Sequence, residues 1–279
     1  WLHGNNVKWE SFCESKNYKK VSLPVYSFDR NSFWINKTNN ILEVSSNCYD
    51  FNKMHYNEAY IKEHEIGGNI IAPGAALISK VIDSMSYLGH KSFNLKQVII
   101  QKPQRFTKGQ SVDLDIELTN ENFSLKCSDN ILCSGDISAN SSSTDVCADM
   151  PGCSNMESLE SEDIYNEFLK MGYNYGPGLR VINNNKYLFE LKNYCKEKNS
   201  SLINIQLLDG VFQCPIILAK RLCLLEENNM LIPFIIKNID FSDKLQDECF
   251  VYIDSSSINI KNKDMHVEIK IYNSSKKLI

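Results

Sequence analysis

The sequence predicts an α+β chain built twice on one plan, an antiparallel sheet wrapped around a central helix. Three observations carry that expectation. A helix-periodic run (Ala75, Leu77, Ile78, Val81, Ile82, Met85) lies between Pro73-Gly74 and Gly89, a Pro start and a Gly stop. Strand candidates with period-2 character follow at 95–101, 112–118, 123–127 and 131–137. After a Ser-, Asn-, Asp- and Gly-rich stretch at 139–157, a second helix-then-strands run begins, dissimilar in sequence from the first.

Taken in order, residues 1 to about 35 alternate short apolar clusters with turn formers and read as an ordered linker. A strand-like stretch at 41–44 and the segment 56–63 lead to His64, placed on a strand ahead of the turn formers Gly67 and Gly68. In the second half, Ile164, Phe168 and Leu169 suggest a short helix, and a glycine-rich turn spans 172–178. A strand near 186–191, a helix from about 209 to 223, and strands near 231–239, 249–253 and 266–272 complete the pattern. The chain stops inside or just after a strand, so the last edge of the second sheet is expected to be incomplete.

A chain of 279 residues suffices for two modest domains. A hydrophobic share of 43% and a charged share of 23% are ordinary for a globular protein. The formal charge of −4 gives no basic surface for nucleic acid. No run approaches the ~20 apolar residues needed to cross a bilayer, and the first residues lack a basic-then-apolar leader. The chain opens on Trp1 rather than Met and reads as a piece of a longer polypeptide. Ten cysteines are scattered from Cys13 to Cys249 without a Cys-x-x-Cys pair, so they read as reduced thiols of a cytoplasmic protein rather than metal ligands or a disulfide framework. The Asn-x-Ser/Thr triplets at Asn36, Asn122, Asn140, Asn199 and Asn273 are what so Asn-rich a sequence yields by chance.

One segment carries recognisable chemistry. In His64-Glu-Ile-Gly-Gly68-Asn-Ile-Ile-Ala-Pro73-Gly74 a histidine precedes a helix start. Histidine suits proton abstraction beside a carbonyl. The N–H groups at a helix start are preorganised donors for a developing oxyanion, and Gly74 admits a substrate oxygen closely. A surface histidine beside an ordinary Gly/Pro turn remains the plain alternative.

The pattern His64-x-x-x-Gly68-x-x-x-x-Pro73 resembles the signature of the dehydratase domains of polyketide and animal-type fatty acid synthases. Three further segments match in order. Leu208-Asp209-Gly-Val-Phe-Gln213 is similar to the family's Asp-x-x-x-Gln/His motif, with both side chains on one helix face. An N-cap carboxylate with an unrelated Gln is the structural alternative there. Gly172-Tyr-Asn-Tyr175-Gly176-Pro177-Gly-Leu179 is similar to Gly-x-x-Tyr-Gly-Pro-x-Phe, with Leu179 in place of the aromatic, a change expected to reshape a pocket wall. Tyr175 then either meets substrate and the catalytic pair or is a buried ring on a tight turn. Leu23-Pro24-Val-Tyr26-Ser-Phe28-Asp-Arg30-Asn-Ser-Phe33-Trp34 resembles the linker that precedes such domains, with Ser27 replacing a Pro and Phe33 a Tyr.

The resemblance covers nearly the whole chain. It implies a double hotdog: a linker at 1–36, an N-terminal hotdog at 37–140, an inter-hotdog linker at 141–157 and a C-terminal hotdog at 158–279. It implies dehydration of a 3-hydroxyacyl thioester, with His64 as base, Asp209 as acid, and Gly74, Gln213, Tyr175, Gly68 and Pro73 in supporting or substrate-binding roles. For that, the Asp209 pKa must rise by about three units from ~3.9, which calls for a desolvated pocket. Pro215 just beyond is expected to disturb that helix locally. The substrate arrives on the phosphopantetheine of an acyl carrier protein, with no metal or diffusible cofactor. Neighbouring synthase domains and homodimerisation are further implied. His3, His55, His90 and His266 match no motif and read as surface or packing residues. Relatives that migrate a double bond or close a pyran ring, and a catalytically silent scaffold, are the rival activities; Asp209, Pro73 and Gly74 together favour dehydration.

Overall fold

A computed structural model describes residues 52–89, 93–139, 150, 160–184, 188–193, 203–225, 230–240, 245, 247–261 and 264–279, all within one compact unit, Asn39–Ile279. The linker expected at 1–36, the strand at 41–44, nearly all of the 139–157 stretch and the three domain boundaries lie outside the described residues, as do His3 and His90.

The first half runs β1 (Lys53–His55), α1 (Ala59–Lys62), β2 (His64–Ile66), β3 (Asn69–Ile70), α2 (Gly74–Tyr87), β4 (Phe93–Ile100), β5 (Ser111–Asp113), β6 (Asp115–Leu118), β7 (Asn122–Cys127) and β8 (Asn130–Ala139). The 56–63 segment thus contains a helical turn, and the strand expected at 112–118 is broken at Leu114. Helix α2 begins at Gly74, with Pro73 outside it as the extended N-cap residue. It ends where Gly89 takes a φ of +88°, a left-handed conformation that glycine adopts without a Cβ penalty. Ala75, Ala76, Leu77, Ile78, Val81, Ile82 and Met85 are all buried, so the helical spacing read from the sequence is the core-facing stripe.

The second half runs α3 (Ser161–Lys170), β9 (Tyr173–Tyr175), a 3-10 turn (Pro177–Leu179), β10 (Ile182–Asn184), β11 (Leu188–Lys192), α4 (Ile205–Arg221), β12 (Ile235–Asp240), β13 (Glu248–Tyr252), a second 3-10 turn (Ser255–Ser257), β14 (Asn259–Lys261), β15 (Asp264–His266) and β16 (Lys270–Asn273). Helix α4 starts a turn earlier than 209. Its N-cap is Asn204, whose side chain accepts a hydrogen bond from the Leu207 N–H at 3.0 Å. The helix continues through Pro215 without a break in assignment, and nearly every residue in it is buried, as befits a helix apolar on all sides. The strand expected from 231 begins only at Ile235, after Pro233, which has no N–H for a ladder. The one expected at 266–272 resolves into two strands, β15 and β16.

Five strands form the order β12-β4-β8-β7-β6, and four form β10-β11-β13-β16. Helices α2 and α4 pack on one another. Among the described residues, the halves are stitched by two antiparallel strand pairings. In one, β12 lies against β4, with Ile235 opposite Ile99 and Asp240 opposite Asn94. In the other, β2 lies against β9, with His64 opposite Tyr175 and Ile66 opposite Tyr173. The second seam brings the histidine motif to the Tyr-Gly-Pro turn.

Candidate active site

The spacing of the histidine motif has a local cause. Strands β2 and β3 form a hairpin whose two-residue turn is Gly67-Gly68, both at positive φ (+56° and +76°). Turns of this kind match the twist of the flanking strands but require left-handed backbone, hence glycine. The return brings Ile71 beside His64: the Ile71 N–H donates to the His64 carbonyl, and the imidazole Nδ1 donates to the Ile71 carbonyl at 2.8 Å. A carbonyl only accepts, so Nδ1 carries the hydrogen and Nε2 presents its lone pair. Two residues later Pro73 caps α2, and Gly74 contributes one of the N–H groups that a helix start leaves without an intrahelical partner.

From the second half, Asp209 projects from the second turn of α4. Its Oδ1 lies 3.8 Å from His64 Nε2. Its Oδ2 accepts from Gln213 Nε2 at 2.9 Å, the one-face spacing of residues four apart. Gln213 is itself held: Nε2 also donates to the Leu179 carbonyl at 3.2 Å, and Oε1 accepts from the Tyr165 hydroxyl at 3.0 Å. Both members of the pair are about 5% exposed. Burial pushes the Asp209 carboxyl up from its ordinary value, against smaller opposing effects of His64 and Gln213. The shift favours the protonated form, the one able to donate a proton.

An aromatic cluster braces this arrangement. The Tyr175 ring lies 5.6 Å from the imidazole, edge-on to Phe168 at 5.2 Å and stacked on Tyr173 at 6.0 Å. Burial, and next the charge of Asp209, hold the Tyr175 phenol protonated well above its usual range, so it is a neutral donor. Tyr173 closes a wall of the site: its hydroxyl donates to the Leu231 carbonyl at 2.8 Å and accepts from the Leu231 N–H at 2.5 Å.

His64, Gly74, Tyr175, Asp209 and Gln213 all line one cavity of ≈ 580 Å³, the open space at its mouth included. The remaining walls are mainly aliphatic and aromatic, among them Leu77, Ile100, Phe212 and Ile216. Gly68 and Pro73 act through the backbone, one as the hairpin turn and the other as the cap. The Leu179 side chain is fully buried outside the cavity lining; what it offers the site is its carbonyl. Leu179 therefore does not reshape a pocket wall. Glu63, Tyr165, Tyr173 and Leu231 were not singled out by sequence reasoning, since their partners lie far away along the chain. His55 meets Ser111 Oγ at 2.6 Å, and His266 sits on β15; neither lines the cavity. Among the described residues no group of three His, Cys, Asp or Glu side chains is arranged as metal ligands, and no helix is long and apolar enough to cross a membrane.

An imidazole from one sheet-wrapped helix unit and a carboxyl from the next thus face each other in one apolar cavity of a double-hotdog protein. Residues 47–131 match the family model described as polyketide synthase dehydratase domain. Over that stretch, which is less than a third of the chain, the sequence is similar to the family. Among curated proteins it is similar to polyketide synthase PksL of Bacillus subtilis (strain 168), at 24% identity over 86% of this chain, and to PksM of the same organism, at 21% over 92%. It spans only 6% and 7% of the length of those two relatives. Among solved structures it resembles a monomeric dehydratase domain from a trans AT polyketide synthase split module, with a TM-score of 0.71 and 16% identity, covering 81% of this chain and 94% of that one. It also resembles an isomerase-inactive variant of GphF DH1, with a TM-score of 0.70 and 19% identity, covering 81% and 86%. These likenesses show the double-hotdog fold.

Proposed function

We propose that this domain removes water from a 3-hydroxyacyl thioester carried on an acyl carrier protein, giving the 2-enoyl thioester during polyketide chain elongation. The observation that carries the reading is the 3.8 Å approach of His64 Nε2 to Asp209 Oδ1 inside one apolar cavity. Nε2 takes the proton from C2, and the electron pair left behind forms the C2–C3 double bond. The C3–O bond breaks, and the Asp209 proton goes to the departing hydroxyl, which leaves as water. Charge building on the thioester oxygen is met by the Gly74 N–H at the positive end of α2. Gln213 orients the acid, and the Tyr175 phenol donates toward bound substrate.

Each of these steps uses a side chain or amide of this chain, so the chemistry as written calls for no metal or diffusible cofactor. The thioester would arrive on a phosphopantetheine arm, and the domain would work beside the other domains of a cytoplasmic synthase. Both reacting groups come from one chain, so the site is complete without a second copy. The test is mass spectrometry of a 3-hydroxyacyl thioester incubated with the protein. Loss of one water is expected; an isobaric product would point to double-bond migration, and unchanged substrate to a silent scaffold.

A further inference from the structure

Resting on the assignment of His64 and Asp209 as base and acid, we infer that Glu63 is a positioning residue that sets the gap between them. Glu63 precedes the base in the chain and reaches the Tyr-Gly-Pro turn, which belongs to the other half of the molecule. Its carboxylate Oε2 accepts from the Gly178 N–H at 2.5 Å, a charge-assisted bond across 115 residues of sequence. Its main-chain carbonyl accepts from the Gly176 N–H at 2.8 Å. Gly176 packs so closely on the Glu63 stem that a Cβ there would lie 2.6 Å from both Cβ and Cγ of Glu63. The glycine of Tyr-Gly-Pro is therefore the space that Glu63 occupies.

On the far side of the same turn the path continues to the acid. Gly178 is followed by Leu179, whose carbonyl receives Gln213 Nε2 at 3.2 Å, and Gln213 holds Asp209 Oδ2. Arg180 Nε donates back to the Tyr175 carbonyl at 2.9 Å, so the turn moves as one piece. Base and acid are thus tied through Glu63, the turn and Gln213, in addition to the walls of the cavity. Losing the carboxylate frees the turn on one side while leaving the main-chain bond to Gly176 in place.

The test uses the whole protein with a 3-hydroxyacyl thioester and the variants Glu63→Ala, Glu63→Asp and Glu63→Gln. Misplacing a reacting group by a fraction of an ångström to an ångström is costly, so Glu63→Ala and Glu63→Asp, the latter one methylene short, lower kcat roughly 10- to 100-fold with KM changed less than about threefold. Glu63→Gln keeps an oxygen where Gly178 needs an acceptor and restores kcat to within about threefold of the parent. Combining Glu63→Ala with Gln213→Leu costs less than the product of the two single losses, because both act on one path. NMR signals of the His64 imidazole give a readout independent of turnover: they shift in Glu63→Ala and Glu63→Asp and not in Glu63→Gln. Should Glu63→Ala fail to fold, the Asp and Gln variants carry the same contrast. Unchanged kcat and imidazole signals in Ala or Asp, or a Gln variant as impaired as they are, overturn the positioning role. If the parent protein eliminates no water while the imidazole signals respond as stated, the dehydratase reading falls and the positioning of His64 by Glu63 stands.

Discussion

Helices α2 and α4 hold equivalent places under their sheets, yet they meet the cavity differently. Helix α2 offers its first residue, Gly74, whose useful group is a main-chain N–H; helix α4 offers Asp209 and Gln213 from its interior turns. His64 of the first half sits on a strand and is fixed by one bond to a backbone carbonyl, whereas Asp209 of the second half is fixed by side chains from α4 and α3. The sheets differ too. Strand β4 lies between β12 and β8 and buries Phe93, Leu95 and Val98; β12 pairs only with β4 among the described strands and buries none of its residues. The lesson is that one architecture, used twice, presents an imidazole from a strand with backbone support and a carboxyl from a helix with side-chain support.

The comparison breaks most visibly at the two reacting groups. His64→Ala and Asp209→Asn are each expected to lower turnover roughly 10²- to 10⁴-fold, the worth of a positioned base or acid, in a steady-state assay. Near-parental rates in either variant would remove that residue from its role. Because the acid must be protonated and the Asp209 carboxyl is raised by burial, kcat/KM of the parent should decline on the alkaline side, above the ordinary carboxylate range. That limb should be absent from the residual activity of Asp209→Asn.

A smaller effect is expected at Gly74. Alanine there keeps the N–H but places a Cβ 2.6 Å from Ile100 Cδ1, the far end of a side chain that lines the same cavity. Repacking of Ile100 is expected to lower kcat/KM about 10-fold, less than loss of either reacting group. A loss as large as that of Asp209→Asn would mean that Gly74 does more than lend its amide.

The smallest effect concerns stability and has a definite sign. Burial lets the folded chain hold the Asp209 proton to higher pH than the unfolded chain does, so above the unfolded value of ~3.9 the folded state binds more protons and stability falls as pH rises. Asparagine carries no such cost. Asp209→Asn should therefore raise the urea or thermal midpoint at neutral pH, with the gain vanishing as pH drops below ~3.9. An equal gain at both pH values would contradict the linkage.

Much of this was legible in the sequence because it depends on short-range geometry. The His64–Gly68–Pro73 spacing encodes a hairpin turn and a helix start, and the four-residue step from Asp209 to Gln213 encodes one helix face. What was not legible depends on distant partners. Glu63 looks like any charged residue before a histidine until Gly176 and Gly178 return beside it. Leu179 looked like a pocket substitution, whereas its backbone carries the contact. In sequence Asp209 resembles a cap; the real cap, Asn204, starts α4 a turn earlier and leaves Asp209 to face the cavity. The apolar content around Leu231 predicts a strand, but the backbone there is spent on the Tyr173 hydroxyl and interrupted by Pro233.

The most direct measurement is a crystal structure of Asp209→Asn with a 3-hydroxyacyl pantetheine thioester bound. The account predicts the C3 hydroxyl within hydrogen-bond reach, about 2.6–3.2 Å, of the side chain at position 209, with C2 facing His64 Nε2 and the thioester oxygen at the Gly74 N–H. An acyl chain bound with its hydroxyl beyond reach of that side chain, or with C2 turned away from the imidazole, would contradict it.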